Sequence, residues 1–244
     1  MTDEPYRWLE AIANRREYIR DQLKGASPVF AFSRREGVVV VGVGTGQSKV
    51  FEIYDRHALG ALGHPVDIEK IRQSLIEAAH LEGFTRAPED VTVRRMLNFA
   101  LGPALKNAFE QVLAAPLIVE GLLVEAGPEP SSDVLAAFRH DGTHAFATGV
   151  AVSFPNADRA AAAAAWLKSQ LSETTALREV VRAAVTASRT LAADGAGRAD
   201  APFPERPDAA IERPDGRVVE AAVLERAGVG RARYRALDGG DYAG

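Results

Sequence analysis

The run VVVVGVGTGQSKVFEIYDR, residues 38–56, holds four consecutive valines, three glycines at alternate positions, and a lone lysine before a second apolar run. Consecutive β-branched residues pack well on a pleated surface, so Val38–Val41 predicts a strand and Lys49–Tyr54 a second one. The glycines between them invite a nucleotide loop. A dinucleotide fingerprint needs a third glycine at 47, where Gln47 stands, and a helix afterwards to hold the pyrophosphate. The G-x-x-x-x-G-K form also fails, because Ser48 precedes Lys49. What remains is a flexible strand connection in which Gly42, Gly44 and Gly46 are incidental and Lys49 is the residue of interest. Three readings of Lys49 stay open: an exposed lysine at a strand start, a partly desolvated base, or a cation that binds a peptide's terminal carboxylate.

Upstream, residues 5–24 place Trp8, Ile12, Ile19 and Leu23 on one helical face, with Arg15, Glu17, Arg20 and Asp21 elsewhere, and Gly25 is a reasonable stop. Val29–Phe32 then pairs with Val38–Val41 around a polar turn at Arg34–Gly37. Downstream, Ala58–Leu62 predicts a short strand. Two helices follow. Asp67 caps the first and Gly83 ends it; Pro88 suits the first turn of the second, which Pro103 kinks. Strands resume at 117–125, 134–139 and 144–152, with Asp141–Gly142 as a hairpin turn. A second helix pair covers 157–171 and 174–192, and Val218–Leu224 is a last strand.

Clustered strands alternating with helix pairs do not make βαβ repeats. They predict an α+β fold in which two antiparallel sheets pack together with a helix layer outside each, a four-layer α/β/β/α sandwich. The expected organisation is an N-terminal segment and helix over 1–25, the sandwich over 26–193, and a flexible linker over 194–215. The final strand with a basic extension follows over 216–237, then a tail over 238–244.

The chain has 244 residues, 47% apolar and 25% charged, enough for one large domain that needs no covalent staples. Without cysteine there is no disulfide framework or thiolate metal site. A net charge of -4 offers no electrostatic footprint for nucleic acid, and no apolar run is long enough to span a membrane. The acidic N-terminus lacks a signal-peptide core, so the expectation is a cytoplasmic protein. His57, His64, His80, His140 and His144 form no H-E-x-x-H pattern, so surface or turn positions are expected, with no metal and no cofactor. Ser27 lies where a processed nucleophile would sit before the first strand, but Pro28 follows it, and a loop serine is the preferred reading. Arg231, Arg233 and Arg235 read as a solvated basic face.

Taken together, RREYIRDQLKGASPVFAF (15–32), EGVVVV (36–41), SKVFEIYDRHALGALG (48–63), DIEKIRQSLIEAAHLEGF (67–84), DVTVRRMLNFALGPALKNAFEQ (90–111), LIVEGLLVEAG (117–127) and VEAAVLERAGVGRARYRAL (219–237) resemble, in order, the proteasome core-particle α subunits, most closely the actinobacterial type. The resemblance implies the N-terminal-nucleophile hydrolase fold. It also implies a seven-membered ring of copies of this chain capping catalytic β subunits, with the α subunit itself not a protease. The N-terminal segment, including Tyr6 and Arg7, would gate substrate entry for protein degradation. Lys49, at the position of the family's K-[VI]-x-E-[IL]-Y-D-R motif, would receive the C-terminal carboxylate of an AAA-type ATPase activator. The same position is catalytic in β subunits, which expose a threonine after shedding a propeptide. Here Ser27 and Pro28 stand instead, no Asp follows Val38–Val41 where the acid would be, and the preceding helix is well patterned. The alternatives are a stand-alone, self-processed hydrolase using Ser27 with Lys49, and a ring-forming scaffold without proteolysis.

Overall fold

The structure is a computed structural model that describes residues 4–195, 201–208, 217–227 and 232–242. Helix α1 (Glu4–Leu23) leads into β1 (Val29–Arg34), β2 (Gly37–Gly44), β3 (Val50–Tyr54) and β4 (His57–Gly63). After α2 (Pro65–Thr85) come α3 (Val93–Met96), a π turn (Leu97–Leu101) and α4 (Gly102–Glu110). Strands β5 (Val119–Glu125), β6 (Val134–Phe138), β7 (His144–Ala147) and β8 (Val150–Ser153) precede α5 (Ala157–Gln170) and α6 (Leu177–Gly195). The chain closes with β9 (Val218–Glu225), β10 (Tyr234–Leu237) and α7 (Gly239–Tyr242).

Two five-stranded sheets result, ordered β10-β9-β2-β1-β8 and β3-β4-β5-β6-β7, with every pairing antiparallel. The two-residue period of a strand sorts their side chains. Phe30, Phe32, Val39, Val41 and Val43 face α5 and α6, while Val29, Ala31, Val38 and Val40 meet Ala58, Leu62, Leu122 and Val124 between the sheets. On the far side Leu59, Ala61, Val119 and Leu123 pack under α2–α4. The layers therefore run α/β/β/α, as the element order predicts.

Helix α1 closes one end of the inter-sheet core with Ile19 and Leu23, at 0% and 1% exposure, and Ile12 partly buried beside them. Arg15 belongs to the same face, contrary to the expectation that it lies elsewhere on the helix. It is buried, and its guanidinium donates to the carbonyls of Ala108 and Ala114 at 2.8 Å each. These carbonyls lie in and just beyond the last turn of α4, where a helix leaves acceptors without intrahelical partners.

Other departures have local causes. Asp67 does not cap α2: His64 holds that position with Pro65 first in the helix, and the Asp67 carboxylate accepts from the Ile118 amide at 3.0 Å. Gly83 lies inside α2, which runs on to Thr85. Pro88 opens a separate 3₁₀ turn, and Thr92 caps α3. Ahead of Pro103, the Gly102 amide reaches back to the Leu97 carbonyl, so the missing proline N–H is accommodated by a π turn. The expected strand 144–152 breaks at Thr148–Gly149, where Gly149 takes φ +75°, and the chain passes from the edge of one sheet (β7) to the edge of the other (β8). Beyond β9, β10 extends the first sheet and Tyr242 of α7 tucks into its helix-side core.

Of the stretch expected as a linker, residues 201–208 pack on the helices. The Trp166 indole donates to the Pro204 carbonyl at 2.7 Å and its ring stacks on Phe203, while Arg189 pairs with Asp208. Residues 196–200 and 209–215 of that stretch, and position 216 and Arg231 beyond it, lie outside the described residues. Among the described residues no helix is long and apolar enough to cross a membrane.

Candidate functional site

Lys49 stands where the chain passes from the first sheet to the second, immediately before β3. Its amide donates to Glu220 Oε2 on β9 at 2.6 Å, and its ammonium donates to the Ser27 carbonyl at 2.9 Å. The stem between these anchors runs over β2. A Cβ built on Gly42 would lie 2.9 Å from Lys49 Cβ, and one on Gly44 would lie 2.8 Å from Lys49 Cε. Both glycines continue the inward row of Val38 and Val40, and their missing side chains leave the lane that the lysine fills. Gly42 and Gly44 are thus not incidental. Gly46 differs, because no atom lies within 4 Å of its added Cβ; its φ of +102° belongs to the turn itself.

Two clefts meet at this lysine. The first, about 460 Å³, is lined by Gln22, Ser27, Thr45, Ser48, Phe51 and Ile68 among others, so it joins the end of α1 to the start of α2. Its acid, Glu69, is already engaged by Arg72 and Gln73. The second, about 310 Å³, lies between the glycine turn and β9–β10 and contains Glu220 and Tyr234. Burial lowers the Lys49 ammonium from the ordinary 10.5 to about 8, with Glu220 opposing that shift and Arg217 adding to it. Burial also raises the Tyr234 hydroxyl to about 12, helped by Glu220 and Glu52. A half-buried ammonium with two donor positions to spare, facing an open cleft rimmed by hydroxyls and amides, is suited to a carboxylate.

The structure thus brings Lys49 and Ser27 together. The contact uses the serine's carbonyl, and Ser27 stays joined to a helix whose Ile19 and Leu23 are core residues. Tyr6 and Arg7 lie at the other end of α1, roughly 24 Å along its axis from Gln22 at 1.5 Å per residue. Arg7 is exposed there. Of the histidines expected at surface or turn positions, His57 is buried within β4, 3.6 Å from Glu125, while His140 does lie at the Asp141–Gly142 turn but is buried there, 2.7 Å from Glu120; both acids are buried too. Among the described residues no group of three or more His, Asp or Glu is placed to hold a metal ion.

Glu220 is the site residue that sequence reasoning missed. It is separated from Lys49 by 171 positions, and only the pairing of Gly42 with Glu220 across β2 and β9 brings it there. A legible signal did exist for the lane. Glycines at i and i+2 of a strand fall on one face, and here they continue a valine row.

No family model matches the chain. Curated relatives do. A protein named proteasome subunit alpha from Actinosynnema mirum is 32% identical over 233 residues, covering 94% of this chain and 82% of its own length. One of the same name from Streptomyces griseus is 31% identical over 136 residues, 55% of this chain and 50% of the relative. Another, from Kineococcus radiotolerans, is 28% identical over 244 residues, 96% of this chain and 93% of the relative. The match thus spans half the length of the Streptomyces griseus relative and most of the other two.

Proposed function

Since the chain belongs to the proteasome α-subunit family, we propose that it is a non-catalytic ring subunit that docks the C-termini of an ATPase activator at Lys49 and gates substrate entry with its N-terminal segment. In this reading copies of the chain form a ring with one another, the ring stacks on β subunits, and peptide cleavage belongs to those partners. Tyr6 and Arg7 contribute to the gate at the start of α1. The observation that carries the docking role is the Lys49 ammonium, backed by a single carbonyl and open to a cleft of about 460 Å³. An incoming C-terminal carboxylate would complete its hydrogen bonding with charge-assisted bonds.

The test is Lys49→Ala in the particle assembled with its β partner. Protein degradation stimulated by the ATPase should fall roughly tenfold or more, the worth of one charge-assisted bond, while hydrolysis of small peptides stays within about twofold. Equal loss of both would assign Lys49 to assembly. The adjacency of Ser27 and Lys49 also keeps a self-processed hydrolase in view. Intact mass separates the two readings: loss of residues 1–26 would establish processing, and a full-length chain removes it.

A further inference from the structure

A docking lysine must be cationic and aimed, and this lysine is under pressure on both counts. Its stem lies along Gly42 and Gly44 of β2, and four unbranched methylenes do not choose a direction unaided. Ser27 supplies one carbonyl at the tip. The root is held separately, by the Glu220 carboxylate on the Lys49 amide at 2.6 Å. A carboxylate is a stronger acceptor than this task requires, since a glutamine oxygen would also take an amide proton. The charge therefore calls for its own account.

We propose that Glu220 is the positioning residue of this site: from β9 it pins the entry of β3 through the Lys49 amide and sets a fixed negative charge behind the ammonium, so that Lys49 stays cationic and points into the Ser27 cleft. The proposal rests on the reading that Lys49 docks a carboxylate. The arrangement of the clefts explains why that charge does not repel the ligand. Of the two clefts at Lys49, Glu220 lines the β9–β10 one, whereas the Ser27 cleft contains Glu69, whose charge is held by Arg72. An anion entering on the Ser27 side meets the ammonium, with Glu220 on the other side.

Among the described residues, four charged or titratable groups face Lys49. Glu220 comes from β9, Arg217 from the residue before it, Tyr234 from β10, and Glu69 from α2. Arg217 works against the ammonium, and Tyr234 is neutral across the working range because burial holds its hydroxyl near 12. Glu220 is the acid whose field supports Lys49. Removing its charge while keeping its shape should expose the full effect of burial.

The experiment is Glu220→Gln in the full chain, with two readouts. The first is competitive acylation of Lys49 by an amine reagent across pH 6–10, read by mass spectrometry of the peptide that contains it. The wild-type midpoint should lie near pH 8, and in Glu220→Gln it should fall by roughly half to one pH unit. The second is anisotropy of a labelled peptide ending in a free carboxylate, compared with its C-terminal amide. Its affinity for Glu220→Gln should fade at correspondingly lower pH. Glu220→Ala, which also loses the acceptor for the amide, should weaken binding at every pH. An unmoved acylation midpoint in Glu220→Gln overturns the role of Glu220, whether or not the peptide binds. Equal binding of acid and amide peptides by the wild type, with the midpoint shift intact, overturns carboxylate docking and leaves Glu220 governing the charge of Lys49.

Discussion

Each end of the β2–β9 ladder carries a cation beside a carboxylate, and the two are built to opposite specifications. At the Gly37 end Arg226 follows β9. Its guanidinium makes a two-pronged pair with Asp133, both bonds at 2.6 Å, and also donates to the carbonyls of Arg34, Arg35 and Gly127. Asp133 in turn accepts from Ser33 and from the Gly127 amide, and the two side chains are 8% and 2% exposed. At the Gly44 end Lys49 has one carbonyl, two clefts and a neighbouring acid that bonds its amide rather than its ammonium. The first cation is fully bonded and ties a hairpin, a loop and a strand together. The second uses one of its three ammonium donors and retains bonding capacity facing the cleft. Burial of charge alone does not distinguish structural from functional use; the fraction of bonding capacity already occupied does.

The comparison breaks most directly at Asp133. Asp133→Ala leaves Arg226 buried without its counter-charge, strands the Gly127 amide, and leaves the Ser33 hydroxyl with the Pro130 carbonyl at 3.3 Å. It should destabilise the chain by about 3–5 kcal/mol, the usual cost of removing one member of a buried pair. Denaturant unfolding at neutral pH measures it. A loss below about 1 kcal/mol would show that water replaces the carboxylate and that this end is no more closed than the other.

The glycine lane gives the next largest effect and divides it between two neighbours. An alanine methyl at Gly42 would press on Lys49 Cβ, which is fixed to the backbone. Gly42→Ala should therefore cost about 1–3 kcal/mol, as overpacking does. At Gly44 the methyl would meet Cε, near the free end of a flexible chain. Gly44→Ala should cost less than about 1 kcal/mol but displace the ammonium from Ser27 and lose carboxylate-dependent binding. Unfolding curves and peptide anisotropy on both variants check the division, and equal stability losses would refute the lane.

These residues also show where the sequence was legible. Val38–Val41 declares a strand because four consecutive β-branched residues suit a pleated surface, and the ordered strand and helix clusters carry the layer architecture. The break at Thr148–Gly149 was not visible, since AFATGVAV reads as one apolar run and only the two-sheet arrangement requires a change of sheet. Arg15 was set off the apolar face because it is charged, although its spacing of three and four from Ile12 and Ile19 placed it on the buried face. Lys49 was legible through its motif. Asp133–Arg226 and Lys49–Glu220 were not, because the first is closed by one sheet packing on the other across 93 positions and the second by the pairing of β2 with β9 across 171.

The last contrast is the sharpest, because it reverses sign. Replacing Lys49 by methionine keeps most of the stem and removes the charge. In the folded chain burial lowers the ammonium to about 8, against 10.5 for an unburied lysine. Between those values the unfolded chain binds more protons than the folded one, so stability of the wild type rises with pH across that window. Below about pH 8 the folded state carries the full cost of a desolvated cation. Lys49→Met should therefore be more stable than wild type at pH 7, by on the order of 1 kcal/mol. The advantage should shrink as pH rises through 8 and vanish near 10.5. Paired unfolding measurements at a series of pH values read this difference, with other titrations cancelling between the two proteins. A Lys49→Met chain less stable than wild type at pH 7 would make Lys49 a second structural cation like Arg226. A stabilised chain that no longer binds carboxylates would mean that the cationic lysine is retained at a cost in stability, as a docking group requires.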